Sequence, residues 1–65
     1  MKTTIRIKKS TNWAAWSNNY VGDQLIAVID EKGVAQVDFK ENALSQELKK
    51  GVISGFVNPE DFIEN

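Results

Sequence analysis

The chain has no cysteine and no histidine. The first absence excludes disulfides, thiolate zinc sites and cysteine nucleophiles. The second removes the commonest general base and the commonest metal ligand. A chain without disulfides suits a reducing cytoplasm. Long apolar runs are also missing, and none approaches the roughly 20 residues that a membrane span requires. The first residues, Met1-Lys2-Thr3-Thr4-Ile5-Arg6-Ile7-Lys8-Lys9, alternate in polarity and hold no uninterrupted apolar segment. Neither a membrane partner nor a secretion signal is expected. There is no Gly-rich phosphate loop and no nucleophile elbow, and no internal repeat or low-complexity tract.

What remains is 65 residues with a net charge of −1. That length makes one domain, residues 1–65. A domain near this size buries only about 60% of the surface its unfolded chain exposes, so its stability is marginal and a partner subunit would help it. The charge is unevenly placed. Residues 1–20 hold Lys2, Arg6, Lys8 and Lys9 and no acid, whereas residues 21–65 hold four lysines against nine acids, a net of −5. Either the two parts pair across neighbouring strands, or the surface is polarised.

Residues 4–8 alternate, with Ile5 and Ile7 on one face and Arg6 and Lys8 on the other, the period of a β-strand. Val21-Gly22-Asp23 reads as a turn. Leu25-Ile26-Ala27-Val28-Ile29 is a short continuous apolar run, which fits a strand covered on both faces. Asp30-Glu31-Lys32-Gly33 then closes a hairpin into a third strand, residues 34–39, with Val37 and Phe39 inward. The period changes after Lys40. Leu44 and Leu48 stand four apart, Asn42 is a candidate N-cap, and Lys49-Lys50-Gly51 suits a helix C-terminus. A short helix over about residues 42–50 is predicted, too short to stand without packing on the sheet. Residues 52–57 return to strand. Asn58-Pro59-Glu60-Asp61 suits a single 3₁₀ turn with proline at its first position, and Phe62-Ile63 begins a last strand. The predicted core is Ile5, Ile7, Leu25, Ala27, Ile29, Val37, Phe39, Leu44, Leu48, Ile53, Val57 and Ile63.

The order of strand, long loop, hairpin, helical insertion, strand, short turn and strand is that of an SH3-like barrel. The segment Gly55-Phe56-Val57-Asn58-Pro59-Glu60-Asp61-Phe62-Ile63-Glu64 resembles the closing motif of SH3 domains, with one extra residue, Asn58, before the proline. The alanine-leucine-tyrosine segment and paired tryptophans of SH3 domains are not present; Trp13 and Trp16 lie in the first loop instead. The whole chain is similar to short SH3-like proteins of phages and mobile elements of Gram-positive bacteria. Those begin with a basic Arg-Ile-Lys-Lys strand, as in Arg6-Ile7-Lys8-Lys9, and continue through a tryptophan-containing polar loop and a Val-Gly turn. The resemblance implies a mainly β fold, an SH3-like five-stranded barrel with one inserted helix, and a phage protein at work in the cytoplasm of a bacterial host. It implies no particular activity.

Catalysis is not expected. The acid pairs Asp30-Glu31 and Glu60-Asp61 sit at predicted turns, where solvated carboxylates are ordinary. No cofactor and no metal is called for. The informative stretch is Ser10-Thr11-Asn12-Trp13-Ala14-Ala15-Trp16-Ser17-Asn18-Asn19-Tyr20, which holds both tryptophans and the only tyrosine. One tryptophan is expected to close the barrel, since its N–H can reach a backbone carbonyl, with Trp16 and Tyr20 left partly exposed. An aromatic surface beside Arg6, Lys8 and Lys9, completed by Pro59 across the groove that SH3 folds form, suits a protein partner. Tryptophan, tyrosine and arginine are the residues most often found as binding hot spots. The phage setting makes that partner a host protein to be modulated or inhibited. The same residues suit a nucleotide or single-stranded nucleic acid, with bases stacked on the rings and lysines meeting phosphate. Nine acids and the lack of a basic stripe argue against duplex DNA. A homodimer through the same patch is the third reading.

Overall fold

The computed structural model describes residues 2–65. Five strands form a single antiparallel sheet: β1 (Lys2–Ile7), β2 (Gln24–Ile29), β3 (Ala35–Asp38), β4 (Ser54–Val57) and β5 (Phe62–Glu64). Their order is β4-β3-β2-β1-β5, so β4 and β5 are the edges of an unclosed sheet. A 3₁₀ turn at Trp16–Tyr20 lies between β1 and β2, one α-helix, α1 (Ser45–Lys49), lies between β3 and β4, and a 3₁₀ turn at Pro59–Asp61 precedes β5.

The inward face follows the period of two. Ile5 and Ile7 of β1, Leu25 and Ala27 of β2, Ala35 and Val37 of β3 and Val57 of β4 are buried. Phe39 and Leu44 fill one end of this interior, and Phe62 is buried with them. Burying a side chain such as Phe39 or Ile5 contributes about 1.5–3 kcal/mol, so a core of this size leaves little margin.

Two predicted core residues are outside. Ile53 is 74% exposed, because β4 starts only at Ser54. Residue 53 touches the sheet through its carbonyl, which accepts from the Phe39 amide at 3.0 Å, while Phe39 and Leu44 occupy the interior there. Ile63 is exposed because Phe62 pairs with the inward Ile7, which leaves Ile63 opposite the outward Arg6. Ile29 and Leu48 pack against the core while only partly buried.

The helix ends as its sequence predicts and starts later. Gly51 has φ of +84°. The Gly51 amide donates to Leu48 O at 3.0 Å and the Val52 amide to Glu47 O at 3.3 Å, the pairing of a Schellman cap. Asn42 is not the N-cap, which falls at Leu44. Its carboxamide sits beside β2 instead, accepting from Ile26 N at 2.7 Å and donating to Ile26 O at 3.0 Å and Asp38 O at 2.8 Å. β3 pairs with β2 only over Ala35–Val37. Beyond that point the Asp38 carboxylate accepts the Lys40 and Glu41 amides and turns the chain away. Asn42 thus supplies the hydrogen bonds that a longer β3 would have given Ile26.

Candidate functional site

The first loop has two halves with different roles. In the first half the polar residues bond to one another. The Ser10 amide donates to Asn18 Oδ1 at 2.7 Å, and Ser10 Oγ accepts the Asn12 amide at 3.0 Å. Asn12 Oδ1 accepts the Ala14 amide at 3.0 Å, while Asn18 Nδ2 donates to Asn12 O at 2.9 Å. The Ala15 amide also reaches Asn12 O, at 3.0 Å, which closes a tight turn with Trp13 and Ala14 at its corner. Serine and asparagine are suited to this because their short side chains bond to nearby backbone. The Trp13 side chain has nothing to fold onto at that corner, and the residue is 90% exposed.

In the second half, Trp16–Tyr20 winds into a 3₁₀ turn that places Trp16 against the sheet. The indole N–H donates to Phe56 O on the edge strand β4 at 3.2 Å. Its ring meets Phe39 edge-on with centroids 4.7 Å apart, and Tyr20 at 5.8 Å. Gly55 makes this possible. A Cβ there would lie 2.5 Å from Trp16 Nε1 and 2.8 Å from Phe39 Cζ. The half-buried Tyr20 hydroxyl donates to Glu47 at 3.5 Å, and Lys50 Nζ approaches the same carboxylate oxygen at 3.4 Å. Glu47 is buried, so α1 is tied to the aromatic loop through it. Loss of solvent around the tyrosine, then the negative charge of Glu47, push the Tyr20 pKa above its ordinary value.

The sequence-predicted site residues therefore separate. Trp16 and Tyr20 are partly buried and structural, and Trp13 is the exposed ring. Arg6 is committed elsewhere, its guanidinium donating to Gly22 O at 2.7 Å and bracing the turn into β2. Lys8 is exposed at the end of β1, where its backbone amide donates to Asp61 O at 2.8 Å. Pro59 is exposed and lies at the β2–β3 hairpin, where a Cβ added to Gly33 would come within 3.3 Å of its ring. The cation that shares a surface with Trp13 is Lys9. It borders a shallow depression of about 830 Å³ together with Ser10, Thr11, Trp13, Asn18 and Val21, a lining that contains no carboxylate. Lys9 was expected beside the aromatic surface; Ser10, Thr11, Asn18 and Val21 are the members that sequence reasoning did not single out. The dense Ser/Asn spacing around Trp13 was the signal for Ser10 and Asn18.

Among the described residues, the two parts of the charge distribution meet in one ion pair, Lys2 with Glu41. The hydrogen bond to Glu41, and then its charge, raise the Lys2 pKa above the ordinary lysine value. Among the described residues, no group of three or more acidic side chains is placed to hold a metal ion, and no helix is long and apolar enough to cross a membrane.

These features define a small mainly β protein that presents one bare indole on a braced turn. Comparison with protein-family models, with curated proteins and with solved structures finds no match to this chain.

Proposed function

We propose that the chain is a non-enzymatic interaction module that docks onto a protein partner through Trp13. The observation that carries this reading is a fully presented indole on a turn held by four side-chain hydrogen bonds. A buried aromatic contributes about 150–250 Å² to an interface, and a ring already fixed in place loses little entropy on binding. The SH3-like reading of the fold draws on the strand order β4-β3-β2-β1-β5, the long first loop and the 3₁₀ turn before β5. The phage setting rests on the resemblance of Arg6-Ile7-Lys8-Lys9, the tryptophan-containing loop, the Val21-Gly22 turn and Glu60-Asp61-Phe62 to the short phage proteins. In that setting the partner is a host protein, such as a component of a defence system, which docking modulates or inhibits.

The test compares immobilised wild type with Trp13→Ala in a bacterial lysate, with circular dichroism confirming that both are folded. Wild type is expected to retain a protein that the variant does not. Capture of the same set by both forms would sink the reading.

A second reading has its own observation. Lys9, Ser10 and Thr11 border the same depression as Trp13, with no acid among the lining residues. A base stacked on the indole with its phosphate toward Lys9 fits that chemistry. Mono- and cyclic nucleotides would then quench tryptophan emission, and the effect would weaken as salt rises. Unchanged emission across such a panel removes it.

A further inference from the structure

The loop from Ser10 to Gly22 holds no charged residue, and two lysines, Lys8 and Lys9, stand at its root. The ion pairs of the described residues join Lys2 to Glu41 and Lys50 to Glu47, so neither of these two lysines is engaged. Two acids reach the end of β1, Asp23 and Asp61, but through their carbonyls, which accept the Ile7 and Lys8 amides. Neither borders the depression beside Trp13, and Asp61 is buried. The hydrogen bonding of the lining is one-sided. Asn18 spends its oxygen on the Ser10 amide and its amide group on Asn12 O, and Ser10 Oγ takes the Asn12 amide. The lining side chains left without a polar partner among the described residues are Lys9, Thr11 and Trp13. All three can donate, and the ammonium and the indole N–H cannot accept. Val21, 48% exposed, adds an apolar patch to the same lining. Acceptors beside Lys9 and an apolar group against Trp13 and Val21 would complete this surface.

We propose that the occupant is an acidic linear segment of another protein. This rests on the docking role proposed for Trp13. An aliphatic or aromatic residue of the segment lies against Trp13 and Val21, and an aspartate or glutamate beside it accepts from Lys9. A carboxylate suits this lining better than a phosphate does. A phosphate brings close to two charges and three strong acceptor oxygens, whereas the lining supplies one ammonium. An apolar side chain also makes use of Val21, which a stacked base does not need. Covering Ser10 and Asn18 costs little, because their side chains are already bonded within the chain. A tryptophan inside such a rim is the arrangement of a binding hot spot. The charge distribution steers the same kind of partner. Residues 21–65 carry nine acids against four lysines and repel an acidic segment, while the uncharged loop with Lys8 and Lys9 at its root attracts it.

A display library of random linear peptides, panned on the immobilised full chain and on Trp13→Ala, tests this. Sequences retained by wild type and not by the variant are expected to combine aspartate or glutamate with leucine, phenylalanine or tryptophan. A synthetic peptide from that set should bind about fivefold more weakly to Lys9→Gln, the upper range for an exposed ion pair. It should bind more weakly still to Lys9→Glu, and as to wild type to Lys32→Gln, which lies in the turn between β2 and β3. Its affinity for wild type should fall between about 50 mM and about 500 mM salt. Lys9 is exposed, so both of its variants are expected to stay folded by circular dichroism. Trp13-dependent peptides that lack acids, or that bind Lys9→Gln as they bind wild type, overturn the acidic segment and leave docking through Trp13 standing. The absence of any Trp13-dependent peptide overturns the linear segment, and the lysate comparison then decides separately whether Trp13 docks onto a folded surface. Adenosine monophosphate is the remaining probe. Quenching of tryptophan emission that Trp13→Ala abolishes, with no peptide selected, assigns the depression to a nucleotide and overturns the proposal.

Discussion

Trp13 and Trp16 are the same side chain three positions apart in one loop, yet they end in opposite environments. Trp16 begins a 3₁₀ turn whose geometry points it at the sheet, where Gly55 leaves a gap that the indole fills and Phe56 offers a carbonyl to its N–H. Trp13 stands at the corner of a turn that Ser10, Asn12 and Asn18 hold rigid without any help from its ring. One tryptophan is positioned by what it touches, the other by what its neighbours touch. A hydrophobic side chain goes inside only where the backbone direction and a vacancy of the right shape coincide. Its hydrophobicity alone does not decide its place.

The sharpest way to break this comparison is a double-mutant cycle between the lid and its gap. Trp16→Ala removes the ring set edge-on against Phe39 and leaves Phe56 O without its donor, at a cost of about 3 kcal/mol, the lower end for a truncated tryptophan because this one is half-buried. A domain of this size has roughly 3–10 kcal/mol in total, so the variant is close to unfolding at ambient temperature. Gly55→Ala in the wild-type background pushes a Cβ into the indole and costs about 1–3 kcal/mol. Placed on Trp16→Ala, the same change loses its main clash and costs much less, although Phe39 still lies close. Urea unfolding of the four proteins gives the coupling. Additive losses would mean that Trp16 does not sit on Gly55 in solution.

Asn18→Ala addresses the other half of the loop. It leaves the Ser10 amide without its partner, while Asn12 O keeps the Ala15 amide, at a cost of about 1–3 kcal/mol if the Ser10 amide finds no water and less if it does. The lid should survive. The informative readout is amide hydrogen exchange, with faster exchange confined to residues 10–15 and Phe39 unaffected. Equal loosening of both halves would show that the loop is one unit after all.

How far the fold was legible follows the same distinction. The strands could be read because period two is set by each strand alone, as in Ile5 and Ile7 against Arg6. The Gly51 cap and the Pro59 turn could be read because one residue type accounts for each. Asn42 was misread as an N-cap because its actual role depends on where β3 leaves β2, a tertiary fact that local spacing does not carry. Ile63 was misplaced for a similar reason. Phe62 and Ile63 are both apolar, and only the register with Ile7 and Arg6 selects between them. At the site, the aromatic loop was legible as a place, and the need for one tryptophan to act as a lid was legible as physics. Which one did so depended on the 3₁₀ turn and on Gly55, which is distant in sequence. Arg6 and Pro59 drop out of the aromatic surface because a backbone carbonyl and a hairpin turn engage them.

Tyr20 adds a pH dependence to the lid alone. Its folded-state pKa lies above the ordinary tyrosine value of about 10. The folded state therefore holds this proton more tightly than the unfolded chain does. The contribution to stability is fully present below the unfolded pKa and is lost as pH rises through the folded one. Wild type should accordingly lose stability above about pH 10. Lysines titrate in the same range, so the measurement is the difference between wild type and Tyr20→Phe across that limb. The variant should show the shallower decline. An identical decline in both would mean that the hydroxyl is as free in the folded chain as in the unfolded one.

The smallest effect on stability is expected from Trp13→Ala, and its smallness is the point. The residue is 90% exposed, and the four bonds that brace its turn come from other side chains. Replacing it should shift the unfolding free energy by no more than about 0.5 kcal/mol, the usual range for surface positions. A loss nearer that of Trp16→Ala would mean that the ring folds back onto the protein and that the turn is not a presenting device. A null effect on stability has a physical consequence. The folded chain then gains nothing from the indole where it stands, which is what the proposed docking role requires of it.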